Sequence, residues 1–364
     1  MKVPFLDLRV TDPAERAELL DAVARVLDHG RLVMGPEVDE LEARLAARCG
    51  RRHAVAVGSG THALWLALKA LQLQPGDEVI TTALSWIATA NAIALAGGTP
   101  VFADIGDDLN IDPASVRRMI SPRTRAIVPV HYTGKMCRMD ELQHIATTHG
   151  LTLIEDAAQA FGATFQGKTA GSFGRMAAFS MNPMKVLAGC GEAGAVVTDE
   201  SELYERLVAL RYNGCVNREV CIEPALNGRI DTLEAAILLR RLDHLPALLA
   251  ARRRHAARYD GLLAGLVETP PLSTTGEDVF YTYTVRAENR DGLRAFLEQH
   301  GIETKIQHSL LMPDQPAYKD GVRGEFTHAR KLQQRFVCLP IHEKLTDAQI
   351  DYTAGCIREF YRRA

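Results

Sequence analysis

The densest run of chemistry-bearing residues lies between positions 154 and 194, IEDAAQAFGATFQGKTAGSFGRMAAFSMNPMKVLAGCGEAG. Asp156 sits just past an apolar stretch, residues 151–155, that reads as a buried strand. Lys185 lies in a loop bounded by Pro183 and Gly189, after a second apolar stretch at 176–179. Ligands of open α/β sheets gather at the carboxyl ends of strands, so an acid and an amine on two such ends can face one cavity. Read one at a time, Asp156 is a helix N-cap and Lys185 a solvated surface amine. Read together, they suit a pyridoxal phosphate site. There a lysine forms a Schiff base with the aldehyde and an aspartate keeps the pyridine nitrogen protonated. The protonated ring accepts electrons when a C–H bond beside nitrogen breaks, and the freed lysine moves the proton.

Other candidates are weaker. Gly58-Ser59-Gly60-Thr61 runs into the helix-like HALWLALKALQL. Its free N–H groups suit a phosphate, or Ser59 or Thr61 is a simple N-cap. The run lacks the Gly-Lys-Ser/Thr ending of a nucleotide P-loop and the spacing of a dinucleotide fingerprint. The 12 histidines show no metal-ligand spacing, so no metal is expected. Arg252-Arg253-Arg254-His255 reads as a solvated or interface face of a helix. Cys190 reads as a small buried loop residue rather than a nucleophile.

The elements that must position these groups follow a rhythm. Apolar runs at 53–57, 78–82, 100–103, 126–130 and 151–155 alternate with helical patterns, including 86–96 and 140–149. That alternation means βαβ units and a mostly parallel sheet. Helical period also covers 13–49, with a break at Gly35-Pro36. After Thr198 come long helical patterns at 200–213 and 231–262, then a half-buried strand at 280–286. The expected architecture is α/β: a large domain over 1–245, N-terminal helical segment included, and a smaller C-terminal α+β domain over 246–364.

The strings GPEVDELEARLAARCG, AVAVGSGTHALWLAL, PGDEVITTALSWIATANAIALAGGTPVFADI, SPRTRAIVPVHYTG, IEDAAQAFGA, FSMNPMKVLAGCGEAGAVVTDE and NGRIDTLEAAIL resemble, in order, the DegT/DnrJ/EryC1/StrS aminotransferases. LPIHEKLTDAQID resembles that family's C-terminal motif, so the likeness covers nearly the whole chain. It implies the aspartate aminotransferase-like, fold-type I architecture. It also implies pyridoxal 5′-phosphate, passing through pyridoxamine 5′-phosphate during turnover. The expected reaction moves an amino group from an amino acid, glutamate, to a nucleotide-linked keto sugar for surface polysaccharide, glycan or antibiotic synthesis. A homodimer with shared active sites is expected.

The resemblance assigns roles. Lys185 carries the cofactor, Asp156 pairs with its ring nitrogen and Gln159 reaches its phenolic oxygen. Gly60, Thr61 and Ser180 hold its phosphate, and Trp86 lies flat on the ring. Asn227 reaches across the dimer to the partner's phosphate. Arg229, Lys135 and His308 are candidate substrate contacts. Taken alone, Trp86 is a core residue on an apolar helix, Ser180 a strand-end hydroxyl, Asn227 a loop residue and Arg229 the ion-pair partner of Asp231.

Several positions depart from the family pattern. His62 replaces Asp, H-L-Y-G-Q becomes His131-Tyr132-Thr133-Gly134-Lys135, and H-Y-P becomes Gln307-His308-Ser309. The last two leave the sugar in doubt. Dehydrating relatives replace the lysine with histidine, whereas this chain keeps Lys185. The alternatives are a transaminase or dehydrating relative acting on a keto-cyclitol, or an inactive regulator with the same fold.

Composition narrows the classes. The chain has 364 residues, 47% hydrophobic and 24% charged, with formal net charge -3. No basic field draws it to nucleic acid. No apolar run reaches the roughly 18–20 residues that span a bilayer, and no secretory signal is visible. Seven cysteines without a C-x-x-C pair argue against a disulfide framework and fit a reducing cytoplasm.

Overall fold

The structure is a computed structural model that describes residues 1–320 and 322–363. Two helices open the chain, α1 (Pro13–His29) and α2 (Pro36–Arg48). The alternation then runs β1 (His53–Val57), α3 (Gly60–Lys69), β2 (Glu78–Thr82), α4 (Ala88–Leu95), β3 (Thr99–Ala103), α5 (Pro113–Met119), β4 (Thr124–Val128), α6 (Met139–His149) and β5 (Thr152–Asp156). A small ribbon, β6 (Thr164–Phe165) and β7 (Lys168–Thr169), precedes β8 (Met176–Ser180) and β9 (Gly194–Thr198). Next come α7 (Ser201–Arg211), the hairpin β10 (Cys215–Val216) and β11 (Val220–Cys221), and the long α8 (Thr232–Leu263). The remainder comprises β12 (Gly276–Glu277), β13 (Tyr283–Arg286), α9 (Arg290–Gln299), α10 (Thr327–Gln333), β14 (Phe336–Leu339) and α11 (Asp347–Arg363).

Helix starts follow their chemistry. Asp12 and Asp112 cap α1 and α5 through their carboxylates, each followed by proline at the first helical position. Gly30 ends α1 in the left-handed conformation, with its N–H on Val26 O.

The main sheet has the order β1-β9-β8-β5-β4-β2-β3. β3, β2, β4, β5 and β8 are mutually parallel, and β9 runs antiparallel to both β8 and β1. Alternate strand residues enter two different cores, as the two-residue period requires. Ala56, Ile80, Ile127 and Leu153 face the core closed by α2 and α8. Val57, Val79, Val128 and Ile154 face the one closed by α3 and α7. Both faces are covered, so the strands read as continuous apolar runs.

Three local expectations change. Asp156 is the last residue of β5 rather than the residue after it. α4 starts at Ala88, so Trp86 stands in the preceding loop and is 59% exposed. β13 does not alternate: Tyr283, Thr284 and Val285 are all buried. Tyr283 stacks on Tyr259 of α8, while Thr284 hydrogen-bonds Cys338 of β14 on its other side.

A single helix crosses residue 245. α8 lends Leu238, Leu242 and Leu249 to the first core, and Ala256, Tyr259 and Leu263 to the C-terminal core. Val3, at the other end of the sequence, also packs into the C-terminal core and bridges to Ile302. Among the described residues no helix is long and apolar enough to cross a membrane.

Candidate active site

Three strand ends converge. β1 turns through Gly58 and Ser59 into α3, and Ser59 Oγ accepts the His62 N–H at 3.1 Å. The cap leaves the Gly60 and Thr61 N–H groups at a positive helix end. β8 ends on Ser180, and a Cβ on Gly60 would stand 2.4 Å from the Ser180 Cβ. Only glycine permits that approach. β5 ends on Asp156, which is buried.

These ends open on one cavity of about 480 Å³, whose walls include Gly60, Thr61, Trp86, Asp156, Gln159 and Ser180. Lys185 and His308 also line it. Thr89 Oγ1 donates to Asp156 Oδ2 at 2.7 Å, and the Ala158 N–H donates to Oδ1 at 3.2 Å. Burial pushes the Asp156 carboxyl above its ordinary range, against those two donors and the charge of Lys185. A cation placed against it would reverse that direction. Gln159 Oε1 accepts the Thr133 N–H at 3.0 Å, which leaves its amide NH₂ for a ligand.

The Lys185 loop is ordered by Asn182. Its carbonyl accepts the Lys185 N–H at 2.8 Å, its side-chain oxygen accepts the Met184 N–H, and its amide donates to Glu192 at 2.6 Å. Lys185 Nζ lies 4.6 Å from the Tyr281 ring centroid. His308 sits in the left-handed region at φ 58, its ring 5.6 Å from Trp86 and 5.7 Å from Tyr132. Its Nε2 is buried with no partner among the described residues. Burial first, then the charge of Lys185, pushes its pKa down to about 4, so the imidazole is neutral at physiological pH.

Three predicted residues stand apart. Lys135 pairs with Asp278 at 3.2 Å and Pro271 O at 3.1 Å, in a separate small pocket. Asn227 is exposed beyond the cavity wall, and Arg229 Nε donates to its Oδ1 at 3.0 Å. The Arg229 guanidinium lies 4.2 Å over the Tyr212 ring, in place of the expected Asp231 pair.

Two expectations are corrected. The basic run is solvated only in part: Arg254 is exposed and Arg253 half-buried, but the other two residues turn inward. Arg252 is buried, donating to Phe280 O and Ile341 O and pairing with Glu343, and it lines the cavity; His255 is buried too. The helix face turns inward because it must satisfy carbonyls of the C-terminal segments that pack on it. Cys190 is exposed rather than buried, although its backbone N–H donates to the half-buried Glu234 at 2.7 Å.

Sequence reasoning missed Thr89, Tyr281, Arg252 and Glu155. Glu155 is wholly buried and accepts from Gly171, Phe173 and Gly174 N–H groups and from His131 Nε2 at 3.1 Å. Burial alone would raise its carboxyl, but His131 and the Gly174 and Gly171 N–H groups hold it below the ordinary range. The available signal was the second acid in one apolar strand: neighbours face opposite sides, so only one of the pair can face a ligand. No sequence signal marked Tyr281. Among the described residues no three metal-ligating side chains cluster.

The donor set fits pyridoxal phosphate. A buried acid awaits a cation, a helix start awaits an anion, and an amine faces the same hollow.

The model of the DegT/DnrJ/EryC1/StrS aminotransferase family matches residues 13–358. The chain is 40% identical to the dTDP-3-amino-3,4,6-trideoxy-alpha-D-glucose transaminase of Streptomyces venezuelae, covering 100% of this chain and 97% of that protein. It is 39% identical to a pleiotropic regulatory protein of Geobacillus stearothermophilus, covering 100% and 99%. The solved structure of S. venezuelae DesV superposes with a TM-score of 0.96 at 40% identity, covering 100% and 99%.

Proposed function

The chain belongs to the DegT/DnrJ/EryC1/StrS aminotransferase family, and from that premise we propose that it aminates a nucleotide-linked keto sugar with an amino group from glutamate. The observation that carries the reading is the pairing of Lys185 with buried Asp156 in one cavity, at the amino end of α3.

Bound pyridoxal phosphate supplies an aldehyde that exchanges between amines and a cationic ring that takes up the electron pair of a broken C–H bond. Lys185 Nζ would hold the cofactor and is the proton carrier. It takes a proton from the donor's α-carbon and, in the second half, returns one to the sugar's former carbonyl carbon. Asp156, oriented by Thr89 and the Ala158 N–H, supplies the counter-charge for the ring nitrogen. Gly60, Thr61 and Ser180 would hold the phosphate, Gln159 would donate to the phenolic oxygen, and Trp86 would cover the ring. His308, neutral and with Nε2 free, contacts the sugar.

Asn227 and Arg229 are exposed or half-exposed beside α3 and outside this chain's cavity, which supports a homodimer in which each protomer completes its partner's site. Lys135 stays a candidate substrate contact that must first leave Asp278. The unpaired cysteines suit the cytoplasm. The names of two relatives, a pleiotropic regulatory protein and an erythromycin biosynthesis sensory transduction protein, favour an inactive regulator, but the assembled Lys185 cavity argues for catalysis.

The test supplies cofactor, glutamate and nucleotide-linked 3-keto and 4-keto sugars, with keto-inositols in parallel, and identifies aminated products by mass spectrometry. Amination of a keto sugar is expected. Amination of inositols alone moves the acceptor to cyclitols, and no product from any acceptor refutes the reading. Borohydride reduction and peptide mapping are expected to place the pyridoxyl label on Lys185, and Lys185→Ala to abolish both label and turnover. A label on another lysine overturns the site.

A further inference from the structure

We propose that Cys215 and Cys221 form a reversible disulfide site, closed by exchange with low-molecular-weight disulfides. The two residues stand directly opposite one another in the β10–β11 hairpin, with Val216 opposite Val220. The Ile222 N–H donates to Gly214 O at 2.8 Å, so the bond flanking the cysteines belongs to their neighbours. Cys215 and Cys221 are therefore a non-hydrogen-bonded pair, the closer of the two antiparallel pair types, with Cα atoms about 4.5 Å apart. A disulfide spans Cα separations of about 4.4–6.8 Å.

Opposite residues project from the same face of the ribbon. Both sulfurs approach one carbonyl, Asn213 O, Cys215 Sγ at 3.8 Å and Cys221 Sγ at 3.5 Å. Cys221 is exposed and Cys215 half-buried, whereas Cys49, Cys137, Cys338 and Cys356 are buried. Cys190 is exposed, but on the loop after Lys185. The hairpin pair alone combines access with a facing partner. A bridge there joins strands already paired, so it demands no rearrangement of the backbone.

The exchange balances. The Cys221 thiolate attacks one sulfur of R–S–S–R and expels RS⁻. The Cys215 thiolate then attacks Cys221 Sγ and expels the second RS⁻. Two protein thiols lose two electrons and two protons, and the small disulfide becomes two thiols. Desolvation and the neighbouring Cys221 sulfur raise the Cys215 thiol above its ordinary range, which leaves the more exposed Cys221 to attack first. Exposed bridges of this kind are readily reversed, as a reducing compartment requires. The bridge ties a ribbon whose foot pairs Tyr212 with Asn227.

The test treats the whole folded protein with excess oxidised glutathione, blocks free thiols with an alkylating agent at acid pH, and digests with trypsin without reductant. Cleavage after Arg211, Arg218 and Arg229 puts the two cysteines in separate peptides, 212–218 and 219–229. The expected result is one species containing both peptides, with neither Cys215 nor Cys221 alkylated, and recovery of both thiols on adding dithiothreitol. Cys215→Ser is expected to trap glutathione on Cys221. Recovery of the two peptides unlinked, each alkylated or each carrying glutathione, overturns the proposal, and so does failure of the serine variant to trap the mixed disulfide.

Discussion

Replacing Thr89 by valine swaps one hydroxyl for a methyl at constant shape in a buried site and removes the 2.7 Å hydrogen bond to Asp156 Oδ2. Hydrogen bonds to charged groups contribute about 1.5–3 kcal/mol. At 1.36 kcal/mol per pKa unit, that is a rise of about 1–2 units in the Asp156 carboxyl. The sign follows from which form the bond favours: Thr89 stabilises the carboxylate, so its loss makes protonation easier. The acid limb of the activity profile therefore moves to higher pH, by about the same 1–2 units. At neutral pH, kcat/KM falls by roughly 10–100-fold, the rate equivalent of the lost interaction. The assay is steady-state transamination across the pH range, with cofactor occupancy measured separately. Thr89→Ser, which keeps the hydroxyl, restores the wild-type limb. A valine profile that superposes on wild type would refute the claim that Thr89 controls the charge of Asp156.

Gly60→Ala places a Cβ 2.4 Å from the Ser180 Cβ and 2.9 Å from its Cα, too close for a side-chain adjustment to relieve. It is expected to cost about 1–3 kcal/mol in urea unfolding and to weaken cofactor retention in ultrafiltration by at least about tenfold. Glu155→Gln removes a buried charge that three N–H groups and His131 satisfy, and is expected to lose about 3 kcal/mol or more at neutral pH. In the wild type the folded pKa lies below the unfolded value of 4.5, so this stability is full above 4.5 and drains as pH falls through the folded pKa. Melting curves of the glutamine variant lack that step. His308→Phe keeps the packing on Trp86 and Tyr132 but removes Nε2, and is expected to raise KM for the keto sugar about tenfold, one hydrogen bond's worth, without changing borohydride labelling of Lys185. With the imidazole pushed down to about 4, the wild-type pH profile carries no limb near 6.5 from this ring.

The main sheet was legible because its strands are buried on both faces and therefore continuous apolar runs, separated by helices with clear starts. Its order was not legible. β8 inserts between β5 and β9, and that placement brings the ends bearing Asp156 and Ser180 side by side. β13 read as half-exposed because its cover, Tyr259 of α8 on Tyr283, and its pairing partner β14 are both distant in sequence. The basic run on α8 misled because its carbonyl partners at 280 and 341 leave no mark near residue 252.

The amino-acid sequence by itself determined the local facts: the succession of strands and helices, which residue types could do the chemistry, and the family likeness they carry. Those follow from short-range rules of period, capping and charge that act over a few residues. Only the tertiary structure decided which groups share one hollow. It admitted Thr89, Tyr281 and Arg252 to the site, turned Glu155 away beside Asp156, and left Lys135, Asn227 and Arg229 outside the cavity of their own chain. The reason is that burial and pairing in a packed interior are settled by residues tens to hundreds of positions apart, whose meeting no local pattern records.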